Sequence, residues 1–478
     1  MAQNSAHSPL DSNSQSSSKF IETRSIDYIP EAERHGRLWS QFTLWFGTNL
    51  QITSIVTGAL AVILGGDVFW SLIGLFVGQI FGGTVMALHA AQGPQLGLPQ
   101  MISSRVQFGV FGAVIPIVLV CILYLGFSAT GIVLAGQSLG SLLNTSSTVG
   151  IVVFSLFIIS VTIFGYRVIH VLGRFASLIG IIAFIYLYTS LVFKYDLAAL
   201  LEANRHFTLP SFLLAISLGA SWQIAYGPYV ADYSRYLPSA ISPLKTFLAV
   251  GGGSAIGSQI SMSLGVFAAA LAGDQFVGHE VNFIVGLGGT GIIASFLYLS
   301  IILGKVMATT LNTYGSFMSI ATILSGFKRQ QRFSPVARFI YIVLIVGVAA
   351  AVALTGQGAF LKLFKSFILF LLAFFTPWSA INLVDYYFVT KGRYDLVALS
   401  DPNGRYGRWN IAGISTYVVG VTVQMPFLAT SFYTGPLVEK LGGTDISWII
   451  GLLVPGVMYY FACKIWPKSI PDKLILPS

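Results

Sequence analysis

The sequence predicts an all-α polytopic membrane protein of twelve transmembrane helices, with two five-helix halves in inverted orientation followed by two extra helices. Its 478 residues are 55% hydrophobic and only 9% charged, whereas a soluble domain carries about 25% charged residues. Apolar runs near the roughly 20 residues that span a bilayer recur along the chain. Two of these runs, five spans apart, contain a polar interruption, which is the pattern of an inverted repeat with a binding site at the membrane midplane.

The order of the apolar runs divides the chain into five predicted parts. They are a disordered or interfacial N-terminus (1–40), a first repeat (41–193), a second repeat (209–388), two extra helices (410–465) and a tail (466–478). The first 18 residues lack the apolar core of a signal peptide. The spans are predicted near 41–65, 68–91, 111–139, 148–168, 172–193, 209–231, 245–273, 290–322, 336–356, 362–388, 410–432 and 446–465.

The Lys and Arg residues are distributed unequally between the two predicted sides of the membrane. Lys and Arg number 20 at the two termini and in the even-numbered loops, against five in the odd-numbered loops. The positive-inside rule then predicts that both termini are cytoplasmic, in a plasma membrane such as the bacterial inner membrane. The net charge of +9 thus reflects topology, and no nucleic-acid partner is expected. Because Cys121 and Cys463 both lie in spans, we expect no disulfide framework, structural metal or cofactor.

The sixth predicted span changes character before it can cross the bilayer. The segment LGASWQIAYGPYVADYSRYLP, residues 218–238, begins apolar and then contains Trp222, Gln223, Gly227 and Pro228. Proline lacks a backbone donor and disfavours a helical residue before it. Lipid cannot satisfy the freed backbone groups, so they must face protein, water or a ligand. We predict a helix break at Gly227 and Pro228 beside a binding site.

Two other spans carry unusual polar residues. The first contains LWFGTNLQITS, in which an aromatic pair and Gly47 precede a polar cluster, so a second break is predicted there. The eighth contains GKVMATTLNTYGSFMS. Its Lys305 must face a cavity or a partner, because an unpaired charge in hydrocarbon is costly.

These segments resemble the nucleobase:cation symporter family of purine–cytosine permeases and hydantoin or allantoin transporters. The similar pieces, in the family's order, are LWFG, GLPQ…SRVQFG, PYVADYSRY, PWSAINLVDYY…GRYD and YGRWNIAGI. The form GFSATG…AGQ in the third span is most similar to the purine–cytosine branch. The resemblance implies a LeuT-like core of two inverted five-helix repeats, and cation-coupled uptake.

The resemblance also implies an aromatic sandwich around a flat heterocycle. Its third-span aromatic corresponds to Phe127, and its sixth-span tryptophan to Trp222 or, in the alternative register, to Gln223. Stacking on aromatic platforms contributes roughly 1–3 kcal/mol per base. The amide one turn after the third-span aromatic in hydantoin-type relatives is replaced here by Gly131, which leaves the choice of substrate open.

Amides would then recognise the edge of the heterocycle. The eighth-span amide corresponds to Asn312 or, in the other register, to Ser316, and first-span contacts correspond to Gln51 or Thr53. Asn and Gln each offer a donor and an acceptor that match the edge of a base. An unpaired edge group in a dry site costs roughly 1–3 kcal/mol, so such amides discriminate between bases.

Two coupling ions remain open. A sodium site implied by the resemblance would use carbonyls of Asn49 and Ile52 with hydroxyls of Thr309 and Thr310. Lys305 lies just over one turn before Thr309 and could instead occupy that site or carry a proton. Proton coupling is favoured over sodium.

The expected function is a secondary-active importer of cytosine, a purine or a closely related heterocycle, working by alternating access in the lipid bilayer as a monomer or loose oligomer. The alternative is a symporter of the same fold for allantoin, a hydantoin, a vitamin-like heterocycle or an amino acid. An enzyme is not expected, because the spans lack convergent acid–base residues, and a channel would need a charged filter and no paired helix breaks.

Overall fold

The structure of this chain, a computed structural model, describes residues 27–164, 166–327 and 334–477. Residues 1–26 of the predicted N-terminal part, residues 328–333 after the eighth span, and Ser478 lie outside the described residues. Those that are described form helices joined by short loops, with two isolated β-bridges.

Seven helices make up the first half of the chain. The long third helix begins where the Asp67 carboxylate accepts from the backbone N–H of Trp70 at 2.9 Å. It ends at Gly97, whose φ of +62° is left-handed backbone that glycine adopts without the steric cost of a Cβ. The seven helices are α1 (Leu38–Asn49), α2 (Ile52–Ile63), α3 (Val68–Leu96), α4 (Gln100–Phe108), α5 (Val114–Leu142), α6 (Ser147–Phe164) and α7 (Tyr166–Lys194).

The second half repeats this order and is followed by two more helices. A short helix, α8 (Leu197–Glu202), connects the halves. The next seven helices are α9 (Leu209–Ile224), α10 (Val230–Ser234), α11 (Pro243–Ala272), α12 (Glu280–Gly288), α13 (Ile292–Phe327), α14 (Pro335–Gly356) and α15 (Phe360–Val384). The last two are α16 (Ile411–Gln424) and α17 (Ser447–Ile465).

The apolar helices lie where the sequence predicted the twelve spans. In the described part of the chain, seven stretches are each long and apolar enough to cross a membrane, and the bent pair α1–α2 makes an eighth. One stretch, Val336–Val389, contains both α14 and α15. The shorter apolar helices are Ser147–Ile163, Leu209–Ile224 and Ile411–Phe427. The prediction of an all-α polytopic membrane protein is therefore confirmed.

The spans pack in two groups. In one group α11 packs against α1, α2 and α3, and α9 packs against α3 and α2. In the other, α5 packs against α6, α13 and α14, while α7 packs against α13. Helix α15 contacts both α9 and α5, and α16 and α17 pack on its far side. The helix breaks lie where the two groups face each other.

Glycines allow the helices of the first group to approach closely. A Cβ on Gly58 of α2 would lie 2.1 Å from the carbonyl oxygen of Met262, and one on Gly265 of α11 would lie 1.8 Å from that of Ile55. No side chain fits at such distances. Membrane helices pack through small residues in this way, because lipid supplies no hydrophobic force between them.

Candidate functional site

The first span is broken in the middle of its polar cluster. Helices α1 and α2 meet at an angle of 58°. Between them Leu50 has ψ of 73° and Gln51 is extended. Gly47, the predicted break residue, lies inside the last turn of α1, where its carbonyl accepts from the N–H of Leu50 at 3.0 Å. The break therefore lies at Leu50 and Gln51.

The sixth span is broken at the predicted glycine and proline. Helix α9 ends at Ile224, and Gly227 and Pro228 lie among the five residues that separate it from α10. The N–H of Gly227 donates to Ile224 at 2.9 Å in a tight turn. Pro228 has no N–H to continue the helix, which is the physical reason for the break.

The side chain of Asn49 connects the two breaks. It is fully buried, and its Oδ1 accepts from Trp222 Nε1 at 2.6 Å and from the Tyr226 hydroxyl at 3.0 Å. Its Nδ2 donates to the Trp45 carbonyl at 2.6 Å and to Ser254 Oγ at 3.1 Å. All four hydrogen-bonding positions of the amide are therefore used. From the sequence only the backbone carbonyl of Asn49 is a predicted site group, and no local pattern signals the role of its side chain.

The structure distinguishes Trp222 from Gln223. Gln223 Nε2 donates to Gln79 Oε1 at 2.5 Å and to Ser258 Oγ at 2.8 Å, and its Oε1 accepts from Ser254 at 2.6 Å. These partners lie on α3 and α11, so Gln223 fastens the first helix group. The ring of Trp222 instead contacts Phe127 of α5.

Trp222 and Phe127 meet across the two helix groups. Their ring centroids are 6.0 Å apart and the rings are perpendicular, at 89°. Phe127 is half-buried and also contacts Phe367 of α15 edge-on, at 5.3 Å. A planar ring held between two aromatic faces needs them about 7 Å apart, twice a carbon contact of about 3.5 Å. In this structure the rings meet edge to face at 6.0 Å, so holding a ligand between them requires both a rotation of one ring and a separation of the two rings by about 1 Å.

Three tyrosines that are not among the predicted site residues extend the aromatic cluster. Tyr226 packs edge-on against Trp222 at 6.0 Å and against Tyr229 at 5.9 Å. Tyr124 of α5 lies 5.6 Å from Tyr229. Tyr226 and Tyr229 flank the glycine and proline in the sequence, and that position was the available signal.

Contacts between α5 and α13 fix the level of the eighth-span amide. A Cβ on Gly131 would lie 2.8 Å from Thr309 Oγ1, and one on Gly315 would lie 2.6 Å from the Tyr124 ring. The two helices therefore run antiparallel in contact. Phe127 lies between the two contact positions on α5 and Asn312 lies between them on α13, so the ring and the amide lie at the same level.

Asn312 and Ser316 differ in availability. The Ser316 hydroxyl bonds to the Tyr341 hydroxyl of α14 at 3.1 Å and is fully buried. Asn312 is half-buried, and within the described residues its amide has no recorded hydrogen-bond partner. The geometry favours Asn312 as the amide that meets a ligand.

The carbonyl and the hydroxyl groups of the expected sodium site differ in their hydrogen bonding. The Asn49 carbonyl accepts from Ser261 Oγ at 2.7 Å and from the N–H of Gln51 at 2.9 Å, and Ile52 is the first residue of α2. In contrast, the buried hydroxyls of Thr309 and Thr310 have no hydrogen-bond partner among the described residues. Ser54 of α2 and Ser128 of α5 are among the other buried hydroxyls of the described residues that share this condition, and they were not selected from the sequence.

Lys305 reaches the first-helix break. Its ammonium donates to Gln51 Oε1 at 2.8 Å and also to Thr53 Oγ1, and the side chain is 3% exposed. Its Cδ lies 3.5 Å from where a Cβ on Gly131 would be. The lysine therefore crosses from α13 past Gly131 to the break. Gln51 and Thr53 bond to the protein itself in this arrangement, with Gln51 Nε2 donating to Thr48 at 2.9 Å.

Helix α4 connects the two groups at the end of the bundle that contains α10. The N–H of Gln100 donates to Asp232 Oδ1 of α10 at 2.8 Å. Arg105 donates to the Thr322 carbonyl and to Ser325 Oγ of α13, each at 2.9 Å. Burial lowers the pKa of Arg105 from 12.5 to about 10, so the guanidinium stays charged at neutral pH.

A buried carboxylate anchors the C-terminal tail below α15. Asp385 Oδ1 accepts from Lys468 at 2.7 Å and from Tyr459 at 2.8 Å, and its Oδ2 accepts from Tyr394 at 2.9 Å and from Gln107 at 3.0 Å. Lys468 also donates to the carbonyl at the end of α4, at 3.2 Å. The tail thereby fixes one end of helix α4.

At the opposite end α12 is bonded to the end of α5. Gln137 Nε2 donates to the buried Glu280 carboxylate at 2.9 Å, and Ser141 donates to Asn282 at 2.6 Å. The Gln137 amide nitrogen therefore links α5 to α12. In the part of the chain that the structure describes, no three His, Cys, Asp or Glu side chains come together as a metal site.

Comparisons with known proteins show the family of this chain. Residues 28–451 match the model of the family described as permease for cytosine/purines, uracil, thiamine, allantoin. The chain is 42% identical over 445 residues to YxlA of Bacillus subtilis, whose name assigns it provisionally to the purine-cytosine permeases; the match covers 93% of this chain and 96% of YxlA. It is 24% identical to the purine-cytosine permease fcyB of Emericella nidulans, over 92% of this chain and 87% of fcyB.

Solved structures share the fold. The inward-facing structure of Mhp1 has a TM-score of 0.77 at 18% identity and covers 96% of this chain and 99% of Mhp1. Mhp1, a nucleobase-cation-symport-1 family transporter, in a closed conformation with bromovinylhydantoin bound has a TM-score of 0.73 at 19% identity and covers 95% and 97% of the two chains. The predicted LeuT-like arrangement is confirmed. With the family model covering most of its length, this chain belongs to the family of membrane permeases for cytosine, purines, uracil, thiamine and allantoin, which are transporters and not enzymes.

Proposed function

We propose that this protein is a secondary-active, cation-coupled importer of a nucleobase, cytosine or a purine, which it binds between Phe127 and Trp222. The single observation that carries the proposal is the meeting of these two rings at the level of Asn312, beside both helix breaks. A planar base offers two faces for stacking and an edge of donors and acceptors for an amide. Asn49 holds the indole through its N–H, which fixes one wall of the site.

The packing of the spans supports transport by alternating access. The first group (α1, α2, α3, α9, α10 and α11) would rock against the second (α5, α6, α13 and α14). The two groups meet at the cytoplasmic end through α4, which bonds to Asp232 on one side and, through Arg105, to α13 on the other. Release of a base to the cytoplasm requires one of these two connections to open. Both termini would be cytoplasmic, as the distribution of Lys and Arg indicates.

The partners follow from the site. The substrate is a small heterocycle, the coupling ion is H⁺ or Na⁺, and the protein works in the lipid bilayer as a monomer or loose oligomer. The expected substrate alternatives are allantoin, a hydantoin and a vitamin-like heterocycle, since relatives include proteins named as a vitamin B6 transporter and an allantoin permease. An amino acid would need free half-helix amides for its carboxylate, and the break after α9 uses its Gly227 N–H in a turn.

The proposal is tested by uptake into proteoliposomes. Radiolabelled cytosine, adenine, uracil and allantoin are supplied with and without a protonophore and with and without sodium. We expect saturable uptake of at least one base that is inhibited by other bases and not by amino acids. Saturable uptake of none of the four would refute the proposal.

Substitutions at the aromatic pair give the matched controls. Trp222→Ala removes a stacking face, and since stacking contributes about 1–3 kcal/mol the KM should rise about 5- to 160-fold. Trp409→Phe changes an exposed loop tryptophan and should leave KM unchanged. Asn312→Ala should alter the preference among bases more than the overall rate. An unchanged KM in Trp222→Ala would show that the base binds elsewhere.

A further inference from the structure

We propose that the ammonium of Lys305 is a built-in cation at the first-helix break, which makes transport proton-coupled and independent of sodium; this inference rests on the proposed transport function. Its basis is the pair of bonds from Lys305 to Gln51 and Thr53. These bonds attach the second helix group to the break in the first group. A bound cation coordinated by both groups would form the same connection.

Gly131 creates the space for this lysine. A Cβ at this position would lie 3.5 Å from Lys305 Cδ and only 2.8 Å from Thr309 Oγ1. An amide side chain at position 131 would occupy the volume through which the lysine stem passes. The glycine and the lysine are therefore two parts of one arrangement, and a substitution at either residue should disturb the ammonium.

No carboxylate of the described residues pairs with Lys305. Among the described residues it forms no ion pair with a carboxylate, and its contacts are neutral oxygens from Gln51 and Thr53. The helices packed against α13 carry titratable side chains that have other contacts. Cys121 and Tyr124 of α5 and Tyr341 of α14 lie at the level of Ser316, and Glu280 of α12 accepts from Gln137. The side chains of α7 that donate to backbone carbonyls are Tyr186, Tyr188 and Lys194. A buried charge without a counter-charge is readily neutralised by proton transfer.

The ammonium and the substrate wall hold the same short segment. Asn49, one residue before the break, accepts from Trp222, and Gln51, inside the break, accepts from Lys305. Only Leu50 separates the residue bonded to Lys305 from the residue bonded to Trp222. A change in the charge of Lys305 therefore reaches the Trp222 ring through a segment of three residues. This direct connection is what coupling between proton and substrate requires.

The transport cycle follows from the protonation of one atom. From the outside, water delivers a proton to Lys305 Nζ, and the charged group bonds to Gln51 and Thr53. After opening to the cytoplasm, the proton passes from Nζ to water, and the neutral amine loses the charge-assisted strength of both bonds. A sodium ion at Thr309 and Thr310 would lie beside the ammonium, where like charges repel strongly in a low-dielectric interior.

The decisive variant is Lys305→Arg, because arginine keeps the charge and the donors but does not release its proton. In proteoliposomes, one proton per substrate and a gradient of one pH unit support about tenfold accumulation of the base. We expect this accumulation in the parent protein, unaffected when choline replaces sodium, and its loss in Lys305→Arg, with the ratio of driven uptake to exchange falling about tenfold. Lys362→Arg, at an exposed lysine of α15, should keep the ratio. Accumulation that persists in Lys305→Arg, or that requires sodium, would overturn the inference.

A second measurement needs no substrate. Thermal unfolding of the purified protein is followed in sodium and in choline at equal ionic strength. We expect no sodium-dependent shift in Tm for the parent protein, because the ammonium occupies the break, and a sodium-dependent rise for Lys305→Ala. A sodium-dependent rise in the parent protein would overturn the inference even if no base were transported. Absence of all base uptake would instead refute the proposed function, so the two failures are distinguishable.

Discussion

Asn49 provides the most direct test of how the two helix breaks are joined. Substitution of Asn49 by alanine removes the acceptor of both Trp222 Nε1 and the Tyr226 hydroxyl. Both donors are buried, and each unpaired buried donor costs about 1–3 kcal/mol, so the free energy of unfolding should fall by about 2–6 kcal/mol. Thr48→Ala is the control, because this exposed hydroxyl bonds only to its own helix, at 2.7 Å.

A double-mutant cycle with Trp222→Phe isolates the bond. By itself Trp222→Phe loses one hydrogen bond, about 0.5–1.5 kcal/mol. In the Asn49→Ala background, Trp222→Phe removes a donor that is already unpaired. The substitution should therefore lower the free energy of unfolding less there, or even raise it, and the coupling energy between the two substitutions should be about 1–3 kcal/mol. Unfolding in increasing SDS can be followed by labelling the buried free thiol of Cys463.

The refuting result is additivity. If the two substitutions add within about 0.3–0.5 kcal/mol, the bond between Asn49 and Trp222 contributes nothing, and the breaks are held together by packing alone. A loss in Thr48→Ala as large as that in Asn49→Ala would likewise assign the effect to helix α1 in general.

Three further predictions concern other parts of the structure. Gly131→Ala places a Cβ 2.8 Å from Thr309 Oγ1. Because such overpacking costs about 1–3 kcal/mol of folding free energy, proton-driven base uptake should fall several-fold. An unchanged uptake rate would contradict the close approach. Lys468→Ala leaves the Asp385 carboxylate buried without its cation and should reduce the free energy of unfolding by about 3–5 kcal/mol, which adding Asp385→Asn should partly restore; SDS unfolding measures both. Burial raises the pKa of Asp445 above 3.8. The folded chain therefore binds this proton more tightly than the unfolded chain, and stability falls as pH rises above 3.8. The Tm of the parent protein should decline between acidic and neutral pH relative to the Tm of Asp445→Asn, and a difference between the two Tm values that stays constant with pH would refute this.

The fold was largely predictable from the sequence, because membrane helices must satisfy their own backbone groups and cover themselves with apolar side chains. Both requirements are visible in single runs of residues. The glycine and proline at 227 and 228 also identified the sixth-span break correctly, since proline acts locally. The first-span break was predicted at Gly47, whereas the helix continues to Asn49, and no proline marks the position.

The site was predictable as a neighbourhood but not as a set of contacts. Trp222, Phe127 and Asn312 were candidates for ligand contact. Gln223 and Ser316 were candidates too, but in the structure they hydrogen-bond to Gln79 and Tyr341. Neighbouring residues on a helix face directions about 100° apart, so a register ambiguity of one residue changes which group meets a ligand. Only the packing of other helices resolves it.

The sequence by itself determined that this protein crosses the membrane many times, that its helices break in two corresponding places, and which spans carry polar groups. Each follows from composition and local backbone chemistry. Only the tertiary structure decided that the two breaks are joined by one amide, and that Lys305 passes Gly131 to reach the first break. These pairings connect residues up to 254 positions apart. They depend on how helices pack against one another, which no single segment encodes.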